Sequence, residues 1–443
     1  MSQLPRYESY KDSGVQWLGE IPSHWKATRI KFLGDIVLGL TYSPEDVTTG
    51  ESGTLVLRSS NVQNGVLTLG DNVYVEKVIP KKMVTTDQDI LICSRNGSRA
   101  LIGKCALIEG EGVGQAFGAF MTVLRSPYRK YLYYVLSSDL FKFQIGSFLT
   151  STINQLTTYA LGNFEIAFPP LEEQKVITDY LDKRLAQVDG LIAKQETLLA
   201  KLAEQRVALI SHAVTNGLNP DVEMKESGVE WLGKVPKSWG VVRLDKASQI
   251  VRGNTGFAKG DLLEEGQYVA LQYGKTYKVD EINSTFSAYV NQEFYKPNQV
   301  AVYGDTVLIS TSETVEDLGH SCFYIRQDIG LIGGEQFLLK PSEKILDKYL
   351  YYSSKAFSRY LHKYATGTKV YRFNTDNLKT ICITKPSLAE QREIISFIDQ
   401  EVSRIDTLAV KQNQLIEKLK EYRSILITQV VTGKIDVRNL KAN

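Results

Sequence analysis

The segment Arg95-Asn96-Gly97-Ser98-Arg99 sets two guanidinium groups, a carboxamide and a hydroxyl within five residues. Its glycine lets the backbone approach another molecule closely. These side chains bond to base edges in a DNA major groove and, less selectively, to phosphates. Arg58-Ser59-Ser60-Asn61-Val62-Gln63 has the same character, as does the stretch holding Ser147, Thr150, Ser151, Thr152, Asn154 and Gln155. Later in the chain come Arg252-Gly253-Asn254, Gln272 to Tyr277, Ser310-Thr311-Ser312 and Lys369 to Asn374. The candidate nucleic-acid contacts are Arg58, Asn61, Arg95, Asn96, Arg99, Thr152 and Asn154, then Arg252, Lys275, Lys369, Tyr371 and Arg372. Taken singly, each could be a solvated loop residue. Their matching placement in two halves of the chain is what groups them.

Other chemistry finds no motif. An adenine methyltransferase needs an Asn or Asp before Pro-Pro-Tyr/Phe to hold the amino group, but Phe168-Pro169-Pro170-Leu171 lacks that amide or carboxylate. Gly330-Leu331-Ile332-Gly333-Gly334 has no following Lys-Ser/Thr to cradle a nucleotide phosphate. Pro220-Asp221 with Glu223 and Lys225 has acids too closely spaced for a nuclease centre. No local motif suggests a Ser-His-Asp or Cys-His set. The four histidines and four cysteines are scattered, without metal-ligand spacing. The expectation is therefore no catalytic residue, no metal and no cofactor. Cysteine usage reads as reduced core thiols of a cytoplasmic protein.

Charge limits how DNA would be held. Fifty-two basic residues face fifty acidic ones, a net charge of +2. A chain gripping DNA mainly through phosphates is usually far more basic. Either a partner supplies part of the grip or a local basic face does. Met1–Ser13 is unlike a signal peptide, and no apolar run is long enough to cross a membrane.

The elements that must position these loops are written twice. Trp17-Leu18-Gly19-Glu20-Ile21-Pro22-Ser23-His24-Trp25 returns as Trp231-Leu232-Gly233-Lys234-Val235-Pro236-Lys237-Ser238-Trp239. By itself this is a packing plug of two indoles around a fixed turn; its duplication is the informative part. Leu171-Glu172-Glu173-Gln174 recurs as Leu388-Ala389-Glu390-Gln391. Lys130-Tyr131-Leu132-Tyr133-Tyr134 recurs as Lys348-Tyr349-Leu350-Tyr351-Tyr352, each expected on a helix. Asp89–Ser94 resembles Asp305–Ser310, each expected to be a buried strand. The tail from Asp436-Val437 resembles Asp221-Val222 ahead of the second tryptophan block, so the order is circular. Scaffold is repeated while loops differ, which is how one framework carries two binding preferences.

A long segment free of internal proline follows each half. Its apolar positions alternate steps of four and three, the seam of a coiled coil. The first seam is Leu181, Leu185, Val188, Ile192, Gln195, Leu199, Leu202 and Arg206; the second includes Ile398, Val402, Ile405, Gln412, Ile416, Leu419 and Arg423. Gln195 and Arg206 match Gln412 and Arg423, and such polar seam residues restrict register. A helix of about 40 residues spans roughly 60 Å. With a domain between the two helices, antiparallel pairing is expected. Pro169-Pro170 and Pro386-Ser387 mark their starts, Asn216-Gly217 and Gly433 their ends.

The duplicated Trp-Leu-Gly-x-Ile/Val-Pro-x-x-Trp block, the Pro-x-Leu-x-Glu-Gln helix starts and the two-fold layout resemble the specificity subunit of type I restriction–modification systems, over essentially the whole chain. The resemblance implies an α+β fold of two pseudo-twofold-related globular α/β target recognition domains, separated by two long antiparallel coiled-coil helices. Its boundaries would be domain one at 1–170, spacer helix one at 171–217, domain two at 218–386, spacer helix two at 387–433 and a tail at 434–443. The implied partners are double-stranded DNA with a bipartite target, two methyltransferase subunits and two motor-nuclease subunits. The rod would set the gap between half-sites, at about 3.4 Å per base pair. Two alternatives share the layout: a non-catalytic two-lobed protein-interaction scaffold, and a specificity chain serving a fused methyltransferase–nuclease polypeptide.

Overall fold

The structure is a computed structural model and describes residues 5–49, 53–148 and 154–440. The chain forms two compact units, residues 1–196 with 413–443 and residues 197–412. Each is built on antiparallel strands backed by a tyrosine-rich helix.

In unit 1 a four-stranded antiparallel sheet runs Cys105–Leu107, Asp89–Cys93, Met121–Arg125, Asp35–Leu38. Asp89–Cys93 is buried at all five positions, because it lies in the middle of the sheet with both faces covered. A second sheet holds Ala116–Phe117, Thr54–Leu57, Tyr74–Val75 and Val47–Thr48. Unit 2 repeats the plan. Ser248–Arg252, Gln336–Pro341, Thr306–Ile309, Ser321–Tyr324 and Glu281–Ile282 make its main sheet, and Thr306–Ile309 is wholly buried. A four-stranded sheet centred on Tyr268–Leu271 and Gly330–Ile332 accompanies it.

Helices Arg129–Ser137 and Asp347–Leu361 carry the repeated tyrosines. Their hydroxyls anchor the long helices in matching ways. Tyr131 donates to the Ala167 carbonyl (2.7 Å) and the Val431 carbonyl (3.0 Å). Tyr349 donates to the Val214 carbonyl (3.2 Å) and lies 2.7 Å from the Thr384 hydroxyl. Tyr134 bonds Asp182, and Tyr352 bonds Asp399. The circular order is thus built into the contacts: unit 1 closes on the end of the second long helix, unit 2 on the end of the first.

The long helices are Leu171–Asn216 and Leu388–Val431. Gln174 donates to the Pro169 carbonyl (2.9 Å) and Gln391 to the Pro386 carbonyl (3.1 Å), so the repeated glutamine ties each helix start to the preceding turn. Ser387 and Glu390 exchange bonds as a capping box. Both helices stop at a left-handed glycine, Gly217 at φ +80° and Gly433 at φ +71°. In unit 1, Ile177, Leu181 and Leu185 share a core with Leu426, Ile427 and Val430. In unit 2, Ile210, Ala213 and Val214 share a core with Ile394, Ile398 and Val402. The start of each helix meets the end of the other, so the helices run antiparallel.

Two sequence expectations need adjustment. Trp25 is fully buried and Trp239 nearly so, yet Trp17 is 39% exposed. The first indole of the block lies at the surface and is held by its ring nitrogen, Trp17 to the Glu165 carbonyl (3.4 Å) and Trp231 to the Cys382 carbonyl (3.1 Å). Cys93, Cys105 and Cys322 are buried free thiols, but Cys382 is half-buried. Burial pushes the Cys105 and Cys322 thiols up to about 12. Among the described residues no helix is long and apolar enough to cross a membrane.

Candidate nucleic-acid interface

In both units the strand leading out of the core ends beside a returning segment. In unit 2, Thr311–Ser312 pairs with Tyr371–Arg372, with Thr311 opposite Arg372. The Phe373 N–H then donates to the Ser310 carbonyl (3.2 Å). In unit 1, Arg95 bridges Gln155, and the Leu156 N–H donates to the Ser94 carbonyl (2.7 Å). Thr157 and Asn374 then cap equivalent short helices, Thr158–Asn163 and Thr375–Thr380. Gln155 therefore stands where Arg372 stands in the other unit. The scaffold is the same and the projecting side chain is not.

The unit 1 cleft measures about 740 Å³ and is lined by Arg58, Asp71, Arg95, Asn96, Tyr42 and Phe120, among others. Arg95 is exposed, its guanidinium 5.2 Å from the Phe120 ring, which is itself 56% exposed. The Arg58 guanidinium pairs with Asp71 (2.9 Å). Asn96 donates to the Ser59 hydroxyl (3.2 Å) and accepts from the Ser98 N–H (3.0 Å). Arg99 does not line the cleft; its guanidinium donates to the Gly146 carbonyl (2.9 Å). Asn154 is half-buried and donates to the Gly97 carbonyl (3.1 Å), which holds the Arg95–Arg99 loop. Thr152 lies outside the described residues.

Asn61 is a correction. Its side chain is fully buried, accepting from the Arg58 N–H (2.9 Å) and donating to the Thr68 carbonyl (3.1 Å). It shapes the turn and has no route to a base. Ser310, Thr311 and Ser312 likewise are buried rather than a free loop, because they begin the strand pairing just described.

The unit 2 cleft measures about 660 Å³ and brings Arg252 and Arg372 together with Lys363, Glu335, Asn374 and Asn377. Arg252 and Arg372 are exposed, and neither guanidinium has a hydrogen-bond or ion-pair partner among the described residues. Lys275 and Lys369 are exposed outside this cleft, and Tyr371 is half-buried on the pairing strand. Lys363 was not anticipated. It packs 3.5 Å from the Tyr360 ring centre and 5.0 Å from that of Tyr364. It sits in the helical turn His362–Tyr364, away from any polar loop pattern. Tyr42 and Phe120 were missed because an aromatic residue in sequence reads as core.

Along the seam, Leu181, Leu185, Val188, Leu202, Ile398, Val402, Ile405 and Ile416 are buried. Ile192, Gln195, Leu199, Arg206, Gln412, Leu419 and Arg423 are half-buried. The Gln412 Oε1 is buried without a hydrogen-bond partner among the described residues. Arg423 pairs with Asp189 (2.9 Å) in unit 1, and Arg206 approaches Asp406 (3.5 Å) in unit 2. These are the same pair in the two copies of the repeat. Among the described residues no group of three His, Cys, Asp or Glu could hold a metal ion.

Comparison with known proteins agrees with the two-fold plan. The family model for the type I restriction modification DNA specificity domain matches twice, over residues 22–200 and 236–418. The type I restriction enzyme StySPI specificity subunit of Salmonella potsdam is 22% identical over 94% of this chain and 90% of its own. The putative MjaX specificity subunit of Methanocaldococcus jannaschii is 25% identical over 98% of this chain and 99% of its own. Among solved structures, a chain from a study of complex assembly and conformational transition in the type I R-M system aligns with a TM-score of 0.70, at 16% identity over 93% of this chain and 98% of that one. The HsdS subunit from Thermoanaerobacter tengcongensis aligns with a TM-score of 0.50, at 17% identity over 94% and 98%. With two copies of the domain covering most of its length, the chain belongs to the type I restriction–modification DNA specificity family.

Proposed function

We propose that this chain is the DNA specificity subunit of a type I restriction–modification complex. Each unit reads one half of a bipartite target, and the paired long helices set the gap and dock two methyltransferase subunits. Two motor-nuclease subunits join for cleavage, and the chain itself is non-catalytic. The observation that carries this reading is one duplicated scaffold presenting two differently lined clefts. Unit 1 offers Arg95 beside exposed Phe120, while unit 2 offers Arg252 and Arg372 with free guanidiniums. Guanidiniums of this kind read guanine O6 and N7. Arg99, Asn154, Lys275, Lys369 and Tyr371 are the flanking contacts, and Thr152 remains a candidate with them. Domain boundaries near residues 170, 217, 386 and 433 belong to the same reading, and the ends of the helices Leu171–Asn216 and Leu388–Val431 support them.

Co-expression with the cognate methyltransferase subunit, followed by mapping of N6-methyladenine across the host genome, tests the proposal. One split motif methylated in both halves, and lost without this chain, is the expected result. A complex that assembles and binds the methyl donor but adds no methylation would favour the interaction-scaffold reading.

A further inference from the structure

The two units share their anchoring contacts but differ at several facing side chains, and one of these differences removes a carboxylate from unit 1. Tyr133 and Tyr351 are equivalent on the tyrosine helices. Each donates its hydroxyl to a backbone carbonyl at 3.1 Å, that of Gly65 in unit 1 and that of Asp280 in unit 2. Lys104 donates to the Val62 carbonyl (2.8 Å), and the His320 ring bonds the Val279 carbonyl (2.9 Å). Arg423 and Arg206 are equivalent on the long helices. So Gly65 and Asp280 occupy matching places against their tyrosine helices, although the loops that carry them differ in length.

The consequence is electrostatic. In unit 2, Asp280 sits 2.9 Å from Arg206 and 2.6 Å from Lys355, and these cations hold its carboxyl below the usual carboxylate range against the opposing effect of burial. Arg206 thus has two acidic neighbours, Asp280 and Asp406. Arg423 has Asp189 alone among the described residues. Where unit 2 places the carboxylate, unit 1 has a cavity of about 250 Å³ lined by Asn64, Lys104, Tyr133, Ser137, Lys142 and Arg423, among others. Three cations face it, against the carboxylates of Asp139 (3.0 Å from Lys142) and Asp189. The chain cannot supply the missing acid at position 65. Gly65 has φ +81°, and a Cβ there would stand 2.6 Å from the Tyr133 hydroxyl.

We propose that this cavity binds a small oxyanion, a phosphate or a carboxylate, which takes in unit 1 the place that the Asp280 carboxylate takes in unit 2. The cavity volume accommodates phosphate. The cations, the Ser137 hydroxyl and the Asn64 amide are the donors such an anion requires. Occupancy would tie the Arg423 region of the second long helix to the hairpin Val62–Leu67, as Asp280 ties Arg206 to its sheet.

Titrate inorganic phosphate into the full chain at constant ionic strength, following heat and thermal unfolding. The comparison variants are Lys142→Gln and Asn64→Asp. Asn64 sits at φ +51°, which aspartate tolerates, so the second variant builds a carboxylate into the site. The expected result is saturable phosphate binding to the unaltered chain. Binding should fall about threefold to fivefold in Lys142→Gln, the range for one exposed charge contact. Asn64→Asp should abolish it and should unfold at a higher temperature without phosphate. Absence of saturable binding, or binding that both variants leave unchanged, would overturn the proposal. Should Asn64→Asp fold poorly, the exposed Lys142 decides alone.

Discussion

The two units share their anchoring contacts almost atom for atom and differ in the side chains that face outward. The tyrosine hydroxyls, the helix-start glutamines and the first indole nitrogen of each Trp-Leu-Gly block find equivalent partners in each. Yet Gln155 answers to Arg372, Gly65 to Asp280 and Lys104 to His320. A buried polar group must keep its partner or incur desolvation, whereas an exposed one is free to change. The difference teaches that specificity and electrostatics can diverge on a frame whose satisfied hydrogen bonds hold it constant.

The largest test strikes the shared frame. Trp25→Ala should cost about 3–5 kcal/mol, as for large core residues generally, and Trp239→Ala a similar amount. Hydrogen-exchange protection should collapse in the damaged unit. A loss confined to one of the two variants would break the equivalence of the units. Next come the unequal arginines. Arg206→Ala strips a charged partner from Asp280 and leaves Lys355 alone to neutralise it. Asp280 is half-exposed, so a cost of about 1.5–2 kcal/mol is expected, the lower part of the range for a hydrogen bond to a charged group. Arg423→Ala removes one half-exposed pair and should cost about 1 kcal/mol or less. Denaturant unfolding of both variants measures the gap, and equal costs would mean that the Asp280 network adds nothing.

The clefts should respond separately. Arg372→Ala should weaken binding by about 1–3 kcal/mol and relax base preference in one half-site, and Arg95→Ala should act on the other half-site. Competition binding with half-site variants reads this directly. Asn61→Ala should instead destabilise unit 1, because its buried amide holds the Arg58 turn. An altered base preference in Asn61→Ala without loss of stability would reverse that assignment.

Much of the frame was readable from the chain because repetition and periodicity survive divergence. Leu181, Leu185 and Val188 lie on one face by spacing alone, and the left-handed glycines at 217 and 433 closed helices where their position suggested. The clefts were less readable. Residue type marks Asn61 and Asn96 alike, but only folding shows that Asn61 is spent inside a turn. Phe120 and Tyr42 carry no polar signature, and Lys363 belongs to a helix end. The Arg423–Asp189 pair was half visible: the arginine interrupts an apolar seam, while its acid sits beside the seam among ordinary solvent-facing charges.

The smallest expected effect separates the units by pH. Burial, with Lys355 nearby, depresses the His320 pKa, so the folded state favours the neutral ring. The unfolded chain takes up that proton more readily. His320's contribution to stability is therefore full above the ordinary histidine value of about 6.5 and is lost as pH falls below it toward the folded pKa. Unit 1 has Lys104 at this place, not an imidazole. Acidification from about pH 7 to 5 should then loosen unit 2 more than unit 1 in hydrogen exchange, and His320→Gln should remove the difference. Because Asp280 is held below the usual carboxylate range, its own contribution persists across this window and fails only at lower pH. Equal loosening of both units, or a difference that His320→Gln leaves intact, would show that the asymmetry at this position does not reach stability.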